Sequence, residues 1–192
     1  MRVFVAGASG AIGTPLVRQL VAAGHVVAGM TRTPEKAPVV ESLGALPVVC
    51  DAYDAEALRA AMAAFVPEVV VNELTDLPDD LSRIVPEANA RMRREGNANL
   101  IASANGARYL AQSVAWELAA GVAADAVREL ERATLEANGV VLRYGMFYGD
   151  GTYYPASSDL PPPPRIHIEE AARRTVEALT AASGVIVIAE TP

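Results

Sequence analysis

Three glycines offer the first chemistry. Gly7, Gly10 and Gly13 punctuate "VFVAGASGAIG", between a short apolar run and a helical pattern. In a strand–turn–helix unit the first glycine permits a tight turn. The second lets the backbone approach a pyrophosphate, and the third lets the helix pack close to the strand. The start of the helix then presents unpaired N–H groups and a positive dipole end to the anion. A turn that merely needs small residues would look similar. The place of this one, at the head of a strand–helix–strand unit, favours the phosphate. The loop's expected binding set is Gly7, Ser9, Gly10, Ala11, Ile12 and Gly13.

A second signal lies where the next strand ends, in "GMTRTPEK". An Asp or Glu at such a position would bind the ribose hydroxyls of NAD, whereas a nearby Arg accommodates the 2′-phosphate of NADP. Here Thr31 and Arg32 follow the strand, with Lys36 further on and no acid at the strand end. NADP is therefore the expected cofactor, with NAD left open. A solvated surface cation is the plainer reading of Arg32.

Positioning these residues takes alternating strands and helices. Short apolar runs at 2–6, 26–30, 46–50, 68–72, 107–113, 140–144 and 184–189 read as strands. Between them fall helical patterns: 11–24, a short one from Pro34 to Gly44, 54–65 with Asp54 as cap, about 81–105, 123–139, and the stretch "EEAARRTVEALTAA". That alternation predicts a single doubly wound α/β domain, a parallel sheet of about seven strands with helices on both faces. The loop "GDGTYYPASSDLPPPPRI" is either a stiff spacer or a lid beside the site.

Composition narrows the class. The chain has 192 residues, 52% of them hydrophobic, and a formal net charge of −7. This argues against nucleic acid or an anionic membrane surface as a partner. Cys50, the single cysteine, excludes an internal disulfide, and His25 and His167 stand too far apart in sequence to suggest a metal cluster. No apolar run has membrane-spanning length, and "MRVFVAGASG" reads as a first strand rather than a signal peptide. The expectation is a cytoplasmic protein acting on a small molecule, with a homodimer left open. The arginines of "ARMRREG", Arg91, Arg93 and Arg94, read best as a solvated helix face.

With the glycine loop, "TR" after the second strand and "VVCDAYD" after the third, the chain resembles the short-chain dehydrogenases/reductases. More narrowly it resembles their atypical or extended branch, the NAD(P)-dependent epimerase/dehydratase-like proteins. "GNANLIASA", "LAQSVA", "VVLRYGMFYGDG" and "RIHIEEAARRTVEAL" extend the likeness nearly end to end. It implies a Rossmann fold and a nicotinamide dinucleotide. The chemistry it implies is that of an oxidoreductase, epimerase or dehydratase. In that pattern Asp51, with Ala52 beside it, would hold the adenine amino group. Asn72 and Glu73 would line the cofactor, although the family usually has small apolar residues there. Ser113 would sit beside the nicotinamide.

One part of the pattern is missing. The family's chemistry rests on a Tyr-x-x-x-Lys pair on the helix after the fifth strand, the Tyr passing a proton to or from the substrate oxygen. Counting back from Glu131 puts Ala123 and Val127 at those positions. The substrate region shrinks to about 145–168. The remaining candidate donors are Tyr148, Tyr153, Tyr154 and His167. Tyr148, with Ser113, is the expected catalytic set, while His167 reads more readily as a packing residue. Trp116 either walls the pocket or anchors a loop. Two functions follow. One is an NADP(H)-dependent oxidoreductase or epimerase-like enzyme acting on a small carbonyl or hydroxyl substrate. The other is a non-catalytic NADP(H)-binding sensor.

Overall fold

The computed structural model describes residues 1–78, 80–156 and 159–190. Seven strands form one parallel sheet: β1 (Arg2–Ala6), β2 (Val26–Thr31), β3 (Leu46–Val49), β4 (Val69–Asn72), β5 (Arg108–Val114), β6 (Val140–Tyr144) and, last in the chain, β9 (Gly184–Ile188). Their order is β3-β2-β1-β4-β5-β6-β9. Strand β1 is hydrogen-bonded to both β2 and β4, in register Val3 to Val27 and Val3 to Val69. Chain order reverses there, and a doubly wound sheet binds its ligand in the crevice at that point.

Burial on both faces explains the sequences of the central strands. A parallel sheet covered by helices needs side chains that are apolar in both directions, so the strands read as continuous Val, Leu and Ala runs. In β1, Val3 and Val5 enter one core with Leu16, Leu20 and Leu179; Phe4 and Ala6 enter the other with Leu58, Met62 and Leu100. The first core lies under α1 (Gly13–Ala22) and α7 (Ile168–Ala178). The second lies under α3 (Ala55–Phe65), α5 (Asn97–Ser103) and α6 (Val122–Glu136). The expected cap holds: the Asp54 carboxylate accepts from the N–H groups of Glu56 and Ala57.

Three features depart from expectation. The region predicted as one helix over 81–105 is broken: a short α4 (Pro86–Arg91) leads through a wide π-type turn, Met92–Gly96, into α5. That turn rotates the helix face, so Arg93 is buried while Arg91 pairs with Glu95 and Arg94 with Glu129 on the surface. The reading of all three arginines as solvated is corrected for Arg93. The helix expected from Pro34 to Gly44 shrinks to a 3-10 turn, Pro34–Lys36, and a short α2 (Ala37–Ser42). The segment 145–168 also holds a second small sheet, β7 (Met146–Tyr148) beside β8 (Arg165–His167), parallel and three residues long on each side. Three-residue strands separated by a proline-rich loop carry too little periodicity to be read in advance. Positions 157 and 158 of that loop, and 79 of the acidic run before α4, lie outside the described residues.

Candidate functional site

The glycine turn is built tightly against its neighbours. The N–H groups of Gly7 and Ala8 both donate to the Met30 carbonyl, at 3.2 and 3.0 Å, tying the loop to the end of β2. Gly7 has φ +88°, and a Cβ there would stand 2.9 Å from the Glu73 carbonyl oxygen. A Cβ on Gly13 would stand 2.0 Å from the Gly7 carbonyl. Only glycine lets α1 begin this close to the end of β1. The helix starts behind Ile12, which offers no side-chain acceptor to the first-turn N–H groups. Such a terminus, with its dipole, suits an anion.

An open cleft runs from this turn along the strand ends. Gly7, Ser9, Gly10, Thr31, Arg32, Asp51 and Ala52 line it, together with Lys36, Glu73 and Met92. Ser9 Oγ and Thr31 Oγ1 are 3.0 Å apart and lock the loop to β2. Arg32 is exposed at the rim, and among the described residues its nearest carboxylate is Asp76 at 4.0 Å. Asp51 accepts from the Tyr53 N–H at 2.9 Å through one oxygen, Oδ1. A pyrophosphate fits the glycine cradle and the uncapped helix start. The cations of Arg32 and Lys36 stand where β2 ends.

Ala11 is exposed at the entrance to α1, whereas Ile12 is buried in the core beneath it. Asn72 points elsewhere. Its Nδ2 donates to Asn97 Oδ1 at 3.0 Å and its Oδ1 accepts from the Leu74 N–H, while Tyr109 donates to the same Asn97 oxygen. Expected at the cofactor, Asn72 is not among the residues that line the cleft, and its amide closes a buried network behind it.

The two expected catalytic residues do not meet there either. Ser113 is fully buried, and its hydroxyl donates to Glu131 Oε1 at 2.5 Å. Glu131 also binds Arg143 through both oxygens, at 2.8 and 2.6 Å. Burial raises the Glu131 carboxyl, but the hydrogen bonds from Arg143 and Ser113 outweigh it and hold the group below its ordinary value. Tyr148 sits in the small sheet, its hydroxyl donating to Glu190 and its ring edge-on to His167. His167 caps α7, its Nδ1 accepting from the Glu169 N–H. Ala123 and Val127 occupy the first turns of α6. Trp116 is half-buried in the segment after β5. Tyr153, from the proline-rich loop, donates to the Pro78 carbonyl in the segment after β4.

Glu73 is the unexpected member of the cleft. It follows β4 directly and is 5% exposed. Tyr144 Oη lies 2.9 Å from its Oε1, and Thr175 Oγ1 lies 2.6 Å beyond. With its amide nitrogen turned inward, Gln112 donates to Glu73 Oε2 at 3.2 Å. Among the described residues no cation pairs with this carboxyl, and burial pushes its pKa up to about 8. The sequence placed Glu73 at the cofactor but gave no sign of this state. The neighbours that enclose it come from β5, β6 and α7, remote in the chain.

Residues 7–112 match the model of a family described as NAD(P)H-binding. The chain belongs to the NAD(P)H-binding family. Its match to 3-diazoavenalumate denitrifying reductase from a Streptomyces species is 42% identical over 186 residues, covering 80% of this chain and 59% of that protein. The chain thus spans about three fifths of that relative's length. Among solved structures, the UDP-glucose 4-epimerase of Thermus thermophilus in complex with NAD superposes with TM-score 0.80 at 19% identity, covering 100% of this chain and 78% of that one. A Serratia marcescens short-chain dehydrogenase/reductase superposes with TM-score 0.78 at 18% identity, covering 97% and 95%. These likenesses establish the Rossmann fold. Among the described residues, no helix is long and apolar enough to cross a membrane.

Proposed function

We propose that the chain is an NADP(H)-dependent reductase of a small electrophile, with residues 145–168 as its reduced substrate region. The observation that carries this is the cleft itself. A glycine cradle for pyrophosphate opens onto Arg32 and Lys36 just after β2, with Thr31 rather than an acid ending the strand and the Asp76 carboxylate 4.0 Å from Arg32 at the rim. The dinucleotide, once bound, supplies the hydride. Gly7, Gly10 and Gly13 admit its pyrophosphate, Thr31 and Arg32 receive the ribose phosphate, and the free oxygen of Asp51 accepts from the adenine amino group.

Without a Tyr-x-x-x-Lys pair, a substrate that needs little acid help suits this chain. Reducing a carbonyl leaves an alkoxide that must be protonated. Reducing an aryl diazonium does not: hydride joins the ring carbon, the carbon–nitrogen bond breaks, and dinitrogen leaves neutral. The name of the Streptomyces relative denotes removal of nitrogen from a diazo substrate, which supports an aryl diazo compound as this chain's substrate class. The test is to mix the chain with NADPH and either a hydroxyaryl diazonium salt or a panel of aldehydes and ketones. Oxidation of NADPH with release of dinitrogen is expected from the first. Turnover on the carbonyl panel alone would overturn the substrate class.

A second reading is a binding protein that senses NADP(H) without turnover. The burial of Ser113 and the outward position of Tyr148 favour it. It requires saturable NADPH binding and no oxidation with either class of substrate.

A further inference from the structure

The polar chain behind the cleft has a direction. Thr175 donates its one hydroxyl hydrogen to the Ala171 carbonyl at 2.8 Å. The 2.6 Å contact between Thr175 and Tyr144 must then be donated by Tyr144. That uses the only hydrogen on Tyr144. The 2.9 Å contact between Tyr144 and Glu73 Oε1 is left without a donor unless Glu73 carries a proton. A carboxylic acid satisfies every contact at once: Oε1 donates to Tyr144, and Oε2 accepts from Gln112. A carboxylate would need Tyr144 to turn to Glu73 and Thr175 to abandon Ala171.

The same residue abuts the phosphate turn. The Glu73 N–H donates to the Ala6 carbonyl at 2.9 Å, its own carbonyl blocks any side chain at Gly7, and it lines the cleft. The groups facing it are Gln112 from β5, Tyr144 from β6 and Thr175 from α7, all uncharged at neutral pH. The charged residues of the cleft are Arg32 and Lys36 after β2 and Asp51 after β3, with Asp76 beside Arg32 at the rim. Among the described residues no cation offsets an anion at Glu73, and a buried anion beside a doubly charged pyrophosphate would repel it in a medium that screens poorly.

We propose that Glu73 is a dinucleotide-binding residue that works as a neutral acid: the cleft admits the pyrophosphate only while Glu73 holds its proton, and takes up one proton per nucleotide where Glu73 is otherwise ionised. This rests on the dinucleotide reading of the cleft.

The test titrates the full chain with NADPH, and in parallel with NADH, which lacks the titrating 2′-phosphate, from pH 6 to pH 9. Calorimetry at each pH uses two buffers of different ionisation enthalpy. The wild type should bind about tenfold more weakly at pH 9 than at pH 7, with about one proton taken up at the higher pH. Glu73→Gln, neutral at every pH and able to donate to Tyr144, should bind with no such slope and no uptake. The infrared carbonyl stretch of a protonated carboxyl, read on the wild type alone, should be present at pH 7 and lost above pH 9. It decides the matter even if the variant fails to fold. A flat affinity, a slope that survives in Glu73→Gln, or no protonated carboxyl at pH 7 overturns the proposal. Absence of binding by either nucleotide at every pH overturns the dinucleotide reading itself.

Discussion

Ser113 Oγ lies 2.5 Å from Glu131 Oε1, and the same carboxylate grips the Arg143 guanidinium. This joins β5, β6 and α6 beneath the strand ends and leaves the serine no exposed surface. A hydroxyl so placed ties three elements of the fold together.

Ser113→Ala should therefore cost about 1.5–3 kcal/mol of stability, the worth of a hydrogen bond to a charged group, and leave the affinity for NADPH unchanged. Adding Tyr148→Phe, which removes only the surface bond to Glu190, should leave turnover intact as well. Denaturant midpoints and steady-state rates check both statements. A hundredfold loss of kcat in the double variant would restore these residues to the chemistry.

The turn should tolerate no side chain at its third glycine. A Cβ at Gly13 would sit 2.0 Å from the Gly7 carbonyl, a backbone atom held in place by the bond it accepts from the Gly10 N–H. Gly13→Ala should push α1 off β1, cost several kcal/mol as overpacking of a tight core does, and abolish nucleotide binding. Thermal melting together with an NADPH titration measures both. Wild-type affinity in a folded Gly13→Ala variant would mean that the cradle is not the site.

Cofactor choice should hinge on Arg32. Its guanidinium is exposed and, among the described residues, its nearest acid stands 4.0 Å away, which leaves it available to a 2′-phosphate. A charge-assisted hydrogen bond contributes about 1.5–3 kcal/mol. Arg32→Ala should weaken NADPH binding by about tenfold to a hundredfold on that basis and leave NADH binding within about twofold. Equal losses for both nucleotides would assign Arg32 to the pyrophosphate or to the fold, and the preference for NADP would fall.

The strands, the glycine turn and the second-strand cations were legible because each depends on local pattern. Apolar runs covered on both faces announce a parallel sheet, and glycine spacing reports a steric demand made within one short turn. The side chains of Asn72, Ser113 and Tyr148 were not legible. Their directions depend on Asn97, Glu131 and Glu190, brought to them by other elements. Arg93 went inward because a π-type turn shifts the helix face, and a steady helical period cannot register that shift. Glu73 reads as an ordinary acid in sequence. Its state is set by burial beneath later strands and the last helix.

The stability of the whole chain should record the proton on Glu73. Its ordinary pKa of 4.5 in an unfolded chain rises to about 8 in the folded one. Below the unfolded value the group is neutral in both states, and stability is at its full level. Between the two values the folded chain holds a proton that the unfolded chain has lost, so stability falls as pH rises, by up to about 1.4 kcal/mol per pH unit. Above the folded value both states are ionised and the loss levels off. Glu73→Gln carries no such proton, so it should grow steadily more stable relative to the wild type from about pH 5 to about pH 8. Urea midpoints of the two proteins, taken side by side at several pH values, isolate this difference from every other titrating group. Two parallel curves across that window would show that Glu73 folds into the cleft already ionised.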